Sequence, residues 1–243
     1  MQQKRFLTLT LGLVGILALI SLYSCNKSNT SPTVYTVTYD GFTYHAITIG
    51  GVTFTVENAR NTCFSNGDTI RNAQKSAEWK DSTNTKIAAK TSDTGAWCYY
   101  NNTNNLDTQK IYGKLYNWYA VKDARGLAPK GYHVATTADF NRLISNLGAT
   151  DAVGQKLKSA HHWTNDGDSS KLNRDKYGFA ALPAGLRYKE GNFNNLGIYG
   201  CFWSSTESSG INASYYYLTY NDSNVYKVDD SKLLGFSVRF VRD

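Results

Sequence analysis

The chain has 243 residues, 26 of them Lys or Arg against 19 Asp or Glu, for a net charge of +7, and it carries 18 Tyr, 10 Phe and 5 Trp. That length suits one sizeable core, and the basic residues are scattered singly, which argues against a nucleic-acid partner. The four cysteines form no CxxC pair, so a structural zinc site is not expected.

Residues 1–24 read as a lipoprotein signal peptide. Lys4 and Arg5 precede the apolar run "FLTLTLGLVGILALISL", which has the length of a signal-peptide core and is marginal as a membrane span. Leu22-Tyr23-Ser24-Cys25 resembles a bacterial lipobox, in which cleavage before the cysteine frees a residue that is then acylated. Acyl chains contribute about 0.8 kcal/mol per buried methylene, so two or three hold a protein on a bilayer nearly permanently. The expected partner at this end is therefore the lipid bilayer, through Cys25, with residues 25–32 as a polar tether and a net charge of +5 once Lys4 and Arg5 are removed. No acidic run follows Cys25, so an outer-membrane protein facing the periplasm is at least as well supported as one displayed on the surface.

The remaining domain, 33–243, opens with "TVYTVTYDGFTYHAITIGGVTFTVENA", in which Asp40-Gly41 and Gly50-Gly51 mark two hairpin turns between alternating strands. Residues 61–110 are polar and read as a long loop region with one short helix. "YGKLYNWYAVKDARG" places Leu115, Trp118 and Tyr119 on one helical face and ends at Gly126. In "TTADFNRLISNLG", Thr136 and Asp139 have capping-box spacing, Phe140, Leu143, Ile144 and Leu147 form an apolar stripe, and Gly148 closes the helix. A weaker helical turn, "AVGQKLKSA", follows. "SYYYLTY", "NVYKV" and "GFSVRFVRD" read as consecutive antiparallel strands. Strands at both ends with helices between them give an α+β domain whose termini meet in one sheet.

The segments "YGKLYNWYAV", "PKGYHVATTADFNRLISNLG", "YGFAALPAGLR", "GNFNNLGIYGCFWSSTE" and "GFSVRFVRD" occur in that order. Together they resemble the FISUMP family, the Fibrobacter succinogenes major paralogous domain, found mostly in lipoproteins and secreted proteins of Gram-negative bacteria. The resemblance spans about Tyr39 to Asp243. It implies a C-type-lectin-like α+β fold, a twisted antiparallel sheet with two flanking helices and long loops, shared with formylglycine-generating sulfatase-modifying proteins. It implies no particular ligand. Two cysteines frequent in the family, a plausible disulfide pair, are replaced here by Ala128 and Phe240, and the usual tryptophan by Phe54.

Candidate chemistry is sparse. With Cys25 lipidated, Cys63, Cys98 and Cys201 remain, and in an oxidising compartment one disulfide and one buried thiol are expected, with the pairing open. The chain lacks the late cysteine pair of the formylglycine-generating enzymes, a GxSxG elbow and an HExxH helix, and "SSTE" at Ser204 to Glu207 reads as a self-bonded turn. Neighbouring His161 and His162 read as surface loop residues. Asp166 and Asp168 are the calcium candidates, but no downstream Glu closes the loop, so an Asx turn is favoured and no metal or cofactor is expected. Tyr220-Asn221-Asp222 superficially resembles the ligand triplet of calcium-dependent lectins, and it too is favoured as a turn.

Aromatic residues are the remaining lead. Trp97, Trp118, Trp163 and Trp203 read mostly as core. Alternation along "SYYYLTY" sets Tyr215 and Tyr217 opposite Tyr216 and Leu218, so that if Tyr216 faces the core the other two tyrosines are exposed. Tyr215, Tyr217, Trp203, Asn221 and Asp222 are therefore the candidate ligand-binding residues. The expectation is a non-catalytic, lipid-anchored domain that binds a glycan or a protein of the envelope or host. The alternatives are a structural subunit of an envelope complex and a degenerate enzyme of the sulfatase-modifying type.

Overall fold

A computed structural model of the protein describes residues 34–80, 95–148, 152–164 and 174–243. The signal peptide, Cys25, the tether, Asp166 and Asp168 lie outside these residues.

Strands β1 (Val34–Tyr39), β2 (Phe42–Ile49) and β3 (Val52–Thr55) form a meander. Both connections are two-residue turns with two left-handed residues each: Asp40 and Gly41 have φ of 49° and 73°, Gly50 and Gly51 56° and 72°. Such turns match the twist of the strands they join. Gly50 is further constrained, because a Cβ there would meet the Leu143 carbonyl oxygen at 3.1 Å and Asn146 Cβ at 3.2 Å.

In its described residues, the polar stretch after residue 60 carries more regular structure than a long loop with one short helix. It holds β4 (Arg71–Asn72), α1 (Ser76–Lys80), β5 (Ala96–Cys98) and α2 (Leu106–Tyr112). The helix expected over "YGKLYNWYAVKDARG" is broken in two. Gly113, at φ 72° with its Cβ position within 2.9 Å of Asn58, ends α2. Leu115–Tyr116 then pairs with β5 as β6, and only Trp118–Val121 is helical, as α3. The cause is Asn117, whose side-chain oxygen accepts from the amides of both Ala96 and Ala120, holding its own backbone extended.

After β7 (Tyr132–Val134) comes α4 (Thr137–Asn146), the expected amphipathic helix, with both arms of the Thr136/Asp139 capping box formed. Short α5 (Val153–Leu157) leads to β8 (Ala184–Arg187), β9 (Phe193–Leu196), β10 (Tyr199–Glu207), β11 (Asn212–Thr219), β12 (Tyr226–Ser231) and β13 (Phe240–Arg242).

The described strands assemble into five-stranded sheets of order β1-β2-β3-β13-β7 and β12-β11-β10-β8-β9, and a three-stranded sheet β4-β5-β6. The result is a mixed α+β architecture dominated by sheet. β13 lies between β3 and β7, with Val241 opposite both Phe54 and His133, so the first and last described strands share a sheet as expected. The closing segment does not pair with β12. Instead Gly235 bridges to Arg187, Phe236 to Tyr116 and Ser237 to Phe202 before β13 enters the first sheet, so these residues tie the three sheets together. The α4 helix joins the two large sheets, since the Phe140 ring packs 5.5 Å from Phe54 of β3 and stacks 4.4 Å from Tyr216 of β11.

Buried cations are held by carbonyls and ring faces. Arg239 is fully buried and donates to four carbonyl oxygens, those of the Asn58 side chain and the Thr55, Phe179 and Ala180 backbone. Arg187, also fully buried, donates to the carbonyls of Gly191, Ala73 and Gln74 between the rings of Trp79 and Phe193. Lys114 donates to Arg60 O beneath Phe42, Trp97 and Tyr99, and burial lowers its pKa to about 8.

The expected disulfide is absent: Cys63, Cys98 and Cys201 are all free. The reason is their placement, with Cys98 packed in one apolar cluster beside Ala73 and Leu115, Cys201 in another beneath Tyr215, and Cys63 in a bridge to Thr69. Ala128 and Phe240, at the family's two cysteine positions, both lie in a single core cluster.

Candidate functional site

The register of β10, β11 and β12 determines which side chains share a face. Trp203 lies opposite Tyr215, Cys201 opposite Tyr217, Tyr215 opposite Val228, Tyr217 opposite Tyr226 and Ala213 opposite Asp230. Paired residues project to the same side. The other side carries Phe202, Tyr216 and Leu218, all buried against α4 and the first sheet. Tyr216 faces the core as alternation predicts, its hydroxyl donating to Asn141 Oδ1 at 2.7 Å.

On the opposite side, Tyr199, Cys201, Tyr215, Tyr217, Val228 and Asp230 form the floor of a cleft of about 300 Å³. Its other wall comes from Leu186, Tyr188 and Asn195 around β8 and β9, and from Leu234 and Phe236 of the closing segment. Tyr215 and Tyr217 are half-buried rather than exposed, because Phe236 covers the first at 4.4 Å and Tyr226 stacks on the second at 5.0 Å. The Tyr199 ring stands at 82° to that of Tyr217, 5.6 Å away. Burial, with Cys201 and Asp230 nearby, pushes the Tyr215 phenol well above its ordinary pKa, and burial raises that of Tyr217. Both hydroxyls therefore stay neutral at physiological pH, each able to donate and accept. Within the described residues the Tyr188, Tyr199, Tyr215 and Tyr217 hydroxyls make no hydrogen bond.

The other candidates fall elsewhere. Trp203 is fully buried behind the cleft, with its indole N–H donating to Tyr116 O at 2.8 Å, and no ligand can reach it. Asn221 and Asp222 form the β11–β12 turn. Asn221 Oδ1 accepts from the Thr219 hydroxyl at 3.0 Å, and the two Asp222 carboxylate oxygens accept from Asn224 N and the Tyr226 hydroxyl, both at 2.7 Å. Those bonds hold the Asp222 carboxyl below the usual range. Asp222 thus acts on the cleft only through Tyr226, which backs Tyr217. Ser204, expected in a turn, lies on β10, buried, with its Oγ 3.1 Å from Thr137 Oγ1 and accepting from Thr206 N. The His162 ring packs 5.8 Å from that of Tyr112. Among the described residues, no group of three or more His, Cys, Asp or Glu could hold a metal ion.

Sequence reasoning missed Tyr188, Asn195, Tyr199 and Asp230. Alternation along "YGCFW" and "YKVDDS" places Tyr199 and Asp230 on the cleft face, whereas Tyr188 and Asn195 come from a hairpin whose register only the fold supplies. A second concavity, wider and shallower at about 850 Å³, follows residues 121–136 and Asp243. Many of its polar groups are already engaged: His133 with Asp139 and Asp243, Asp123 with Arg125, the Ser65 hydroxyl with Ala128 O and that of Ser205 with Val134 O. The cleft, with its uncommitted hydroxyls, is the better binding surface.

The chain matches the family model of the Fibrobacter succinogenes major domain over residues 47–242. It belongs to that family. The matched span of this major domain includes every strand of the cleft and both fully buried arginines. Comparison with curated proteins and with solved structures gives no match.

Proposed function

We propose that this major-domain protein is an extracytoplasmic lipoprotein, anchored through acylated Cys25 to the outer membrane, whose C-type-lectin-like domain binds a glycan or protein partner without catalysis. The observation that carries the binding reading is the cleft: half-buried Tyr199, Tyr215 and Tyr217 line it with aromatic surface and with phenols that the protein's own hydrogen bonds leave unused. Rings with polar tips suit sugar faces and protein surfaces alike. The non-catalytic reading is supported by the state of the candidate nucleophiles, since Cys98 and Cys201 are buried with raised pKa and the Ser204 hydroxyl is engaged.

The test uses detergent-solubilised mature protein on a glycan array and in capture from envelope extracts, with Tyr217→Ala as control. A saturable partner lost in that variant supports the reading; one that binds both proteins equally moves the site elsewhere. For the anchor, Cys25→Ser should leave the precursor unacylated and shift the protein out of the membrane fraction. Unchanged partition would make the leader a plain anchor.

A further inference from the structure

We infer that the cleft takes the ammonium-bearing side chain of a lysine presented by a protein partner, an inference that rests on the cleft being the binding site. The protein's own cations set the pattern. Lys114 lies 4.5 Å from the Trp97 ring centroid, Lys158 5.2 Å from Trp163, Lys232 4.7 Å from Trp118, and Arg187 and Arg239 each stand over two rings. Ring faces attract cations through their quadrupole, and most strongly where water is excluded. The cleft gathers the rings of Tyr188, Tyr199, Tyr215, Tyr217 and Phe236, yet among the described residues no Lys or Arg stands over any of them.

Charge points the same way. In a chain with an excess of basic residues, the single charged side chain lining the cleft is an acid, Asp230, exposed on β12 and bonded only to the neighbouring amide of Ser231. Neighbouring basic residues are engaged elsewhere: Lys227 projects to the other side of β12 toward Asp229, Lys232 is buried against Glu207 and Trp118, and Arg187 and Lys189, flanking Tyr188, are held by backbone carbonyls and by Glu190. Tyr199 and Tyr217 meet edge to face at 82° and together form an aromatic wall of the cleft. Leu186, Val228, Leu234 and Phe236 supply apolar surface beside the phenols and Asn195, which suits a tetramethylene stem ending in a charged head. An amino sugar carries the same charge but no apolar stem, and titration with both separates the two occupants.

The experiment is an NMR titration of the tyrosine ring signals of the detergent-solubilised protein. The probes are Nα-acetyl-lysine methylamide, its norleucine counterpart, which keeps the stem and lacks the charge, and glucosamine. The lysine probe should bind at least tenfold more tightly than the norleucine probe, about 1.4 kcal/mol. Asp230→Asn, an exposed substitution that leaves the fold intact, should remove most of that preference, and added salt should weaken it. Equal binding of lysine and norleucine probes, or tighter binding of glucosamine, overturns the lysine assignment while leaving the cleft as a binding site. No response of the cleft tyrosines to any probe overturns both.

Discussion

The Phe140 ring stacks on Tyr216 at 4.4 Å and so couples the main helix to the sheet whose opposite face forms the cleft. Phe140→Ala is expected to cost about 3–5 kcal/mol, since it empties a fully enclosed site. Along the same helix the stripe is not uniform. Leu143 is buried, so Leu143→Ala should cost about 2–5 kcal/mol, whereas half-buried Leu147 at the C-cap should cost less than half of that. Urea melts of the three variants check the order, and equal losses at Leu143 and Leu147 would contradict the packing described.

His133 joins the chain's last residue to the cap of the same helix, with Nδ1 2.7 Å from Asp243 Oδ1 and Nε2 3.0 Å from Asp139 Oδ2. Burial alone would lower its pKa, but the hydrogen bonds to Asp243 and Asp139 outweigh it and the net shift is upward. For Asp139, burial is outweighed by the Thr136 hydroxyl and amide and by His133, and the net shift is downward. A raised histidine contributes stability that is complete below its unfolded pKa of about 6.5 and is lost as pH rises through the folded value. The depressed aspartate contributes above about pH 3.9 and loses its share as pH falls through its folded pKa. The clamp is therefore strongest between about pH 4 and 6.5. In His133→Gln the fall in urea midpoint above about pH 6.5 should disappear, and parallel profiles for variant and parent would show the clamp to be idle.

The three free thiols differ in access. Burial pushes the Cys98 thiol up to about 12 and raises that of Cys201 further, while Cys63 is half-buried. Because the thiolate is the attacking form, an aromatic disulfide reagent should label Cys63 in the native protein and reach the other two only on unfolding. Cys201 lines the cleft floor, so native labelling there at the rate of Cys63 would show the cleft to open more widely than its packing indicates.

Local signals read from the sequence held where the chemistry is local. The Asp40-Gly41 and Gly50-Gly51 hairpins, the Thr136/Asp139 capping box and the burial of Tyr216 each follow from residues within a few positions of one another. The failures share a long-range cause. Periodicity ran a helix through Leu115, but Asn117 captures an amide 21 residues earlier and converts that stretch into strand and a single turn. Periodicity also gave the last segment to β12, whereas bridges to Tyr116, Arg187 and Phe202 direct it to the first sheet. The cleft was half legible: alternation pointed to Tyr215 and Tyr217, but the opposing wall of Leu186, Tyr188, Leu234 and Phe236 exists only once that segment has crossed over.

The same crossing segment carries Arg239, the arginine of the closing "SVRF" stretch, whose guanidinium holds distant parts of the chain together. Four carbonyl oxygens from residues 55, 58, 179 and 180 converge on it within 3.1 Å, and the rings of Phe179 and Phe202 cover it. No neutral side chain offers that many donors in a plane, and lysine offers three from a single point. Arg239→Met strands buried acceptors, each worth about 1–3 kcal/mol when unsatisfied, and should leave the domain largely unfolded. Arg239→Lys keeps the charge but loses the fork, and its expected cost is about 2–4 kcal/mol, a partial loss measurable by thermal melt. The pair discriminates: if Met were tolerated as well as Lys, the site would be held by packing alone. If Lys matched the parent, charge rather than directed hydrogen bonding would hold residues 55–58 against 179–180.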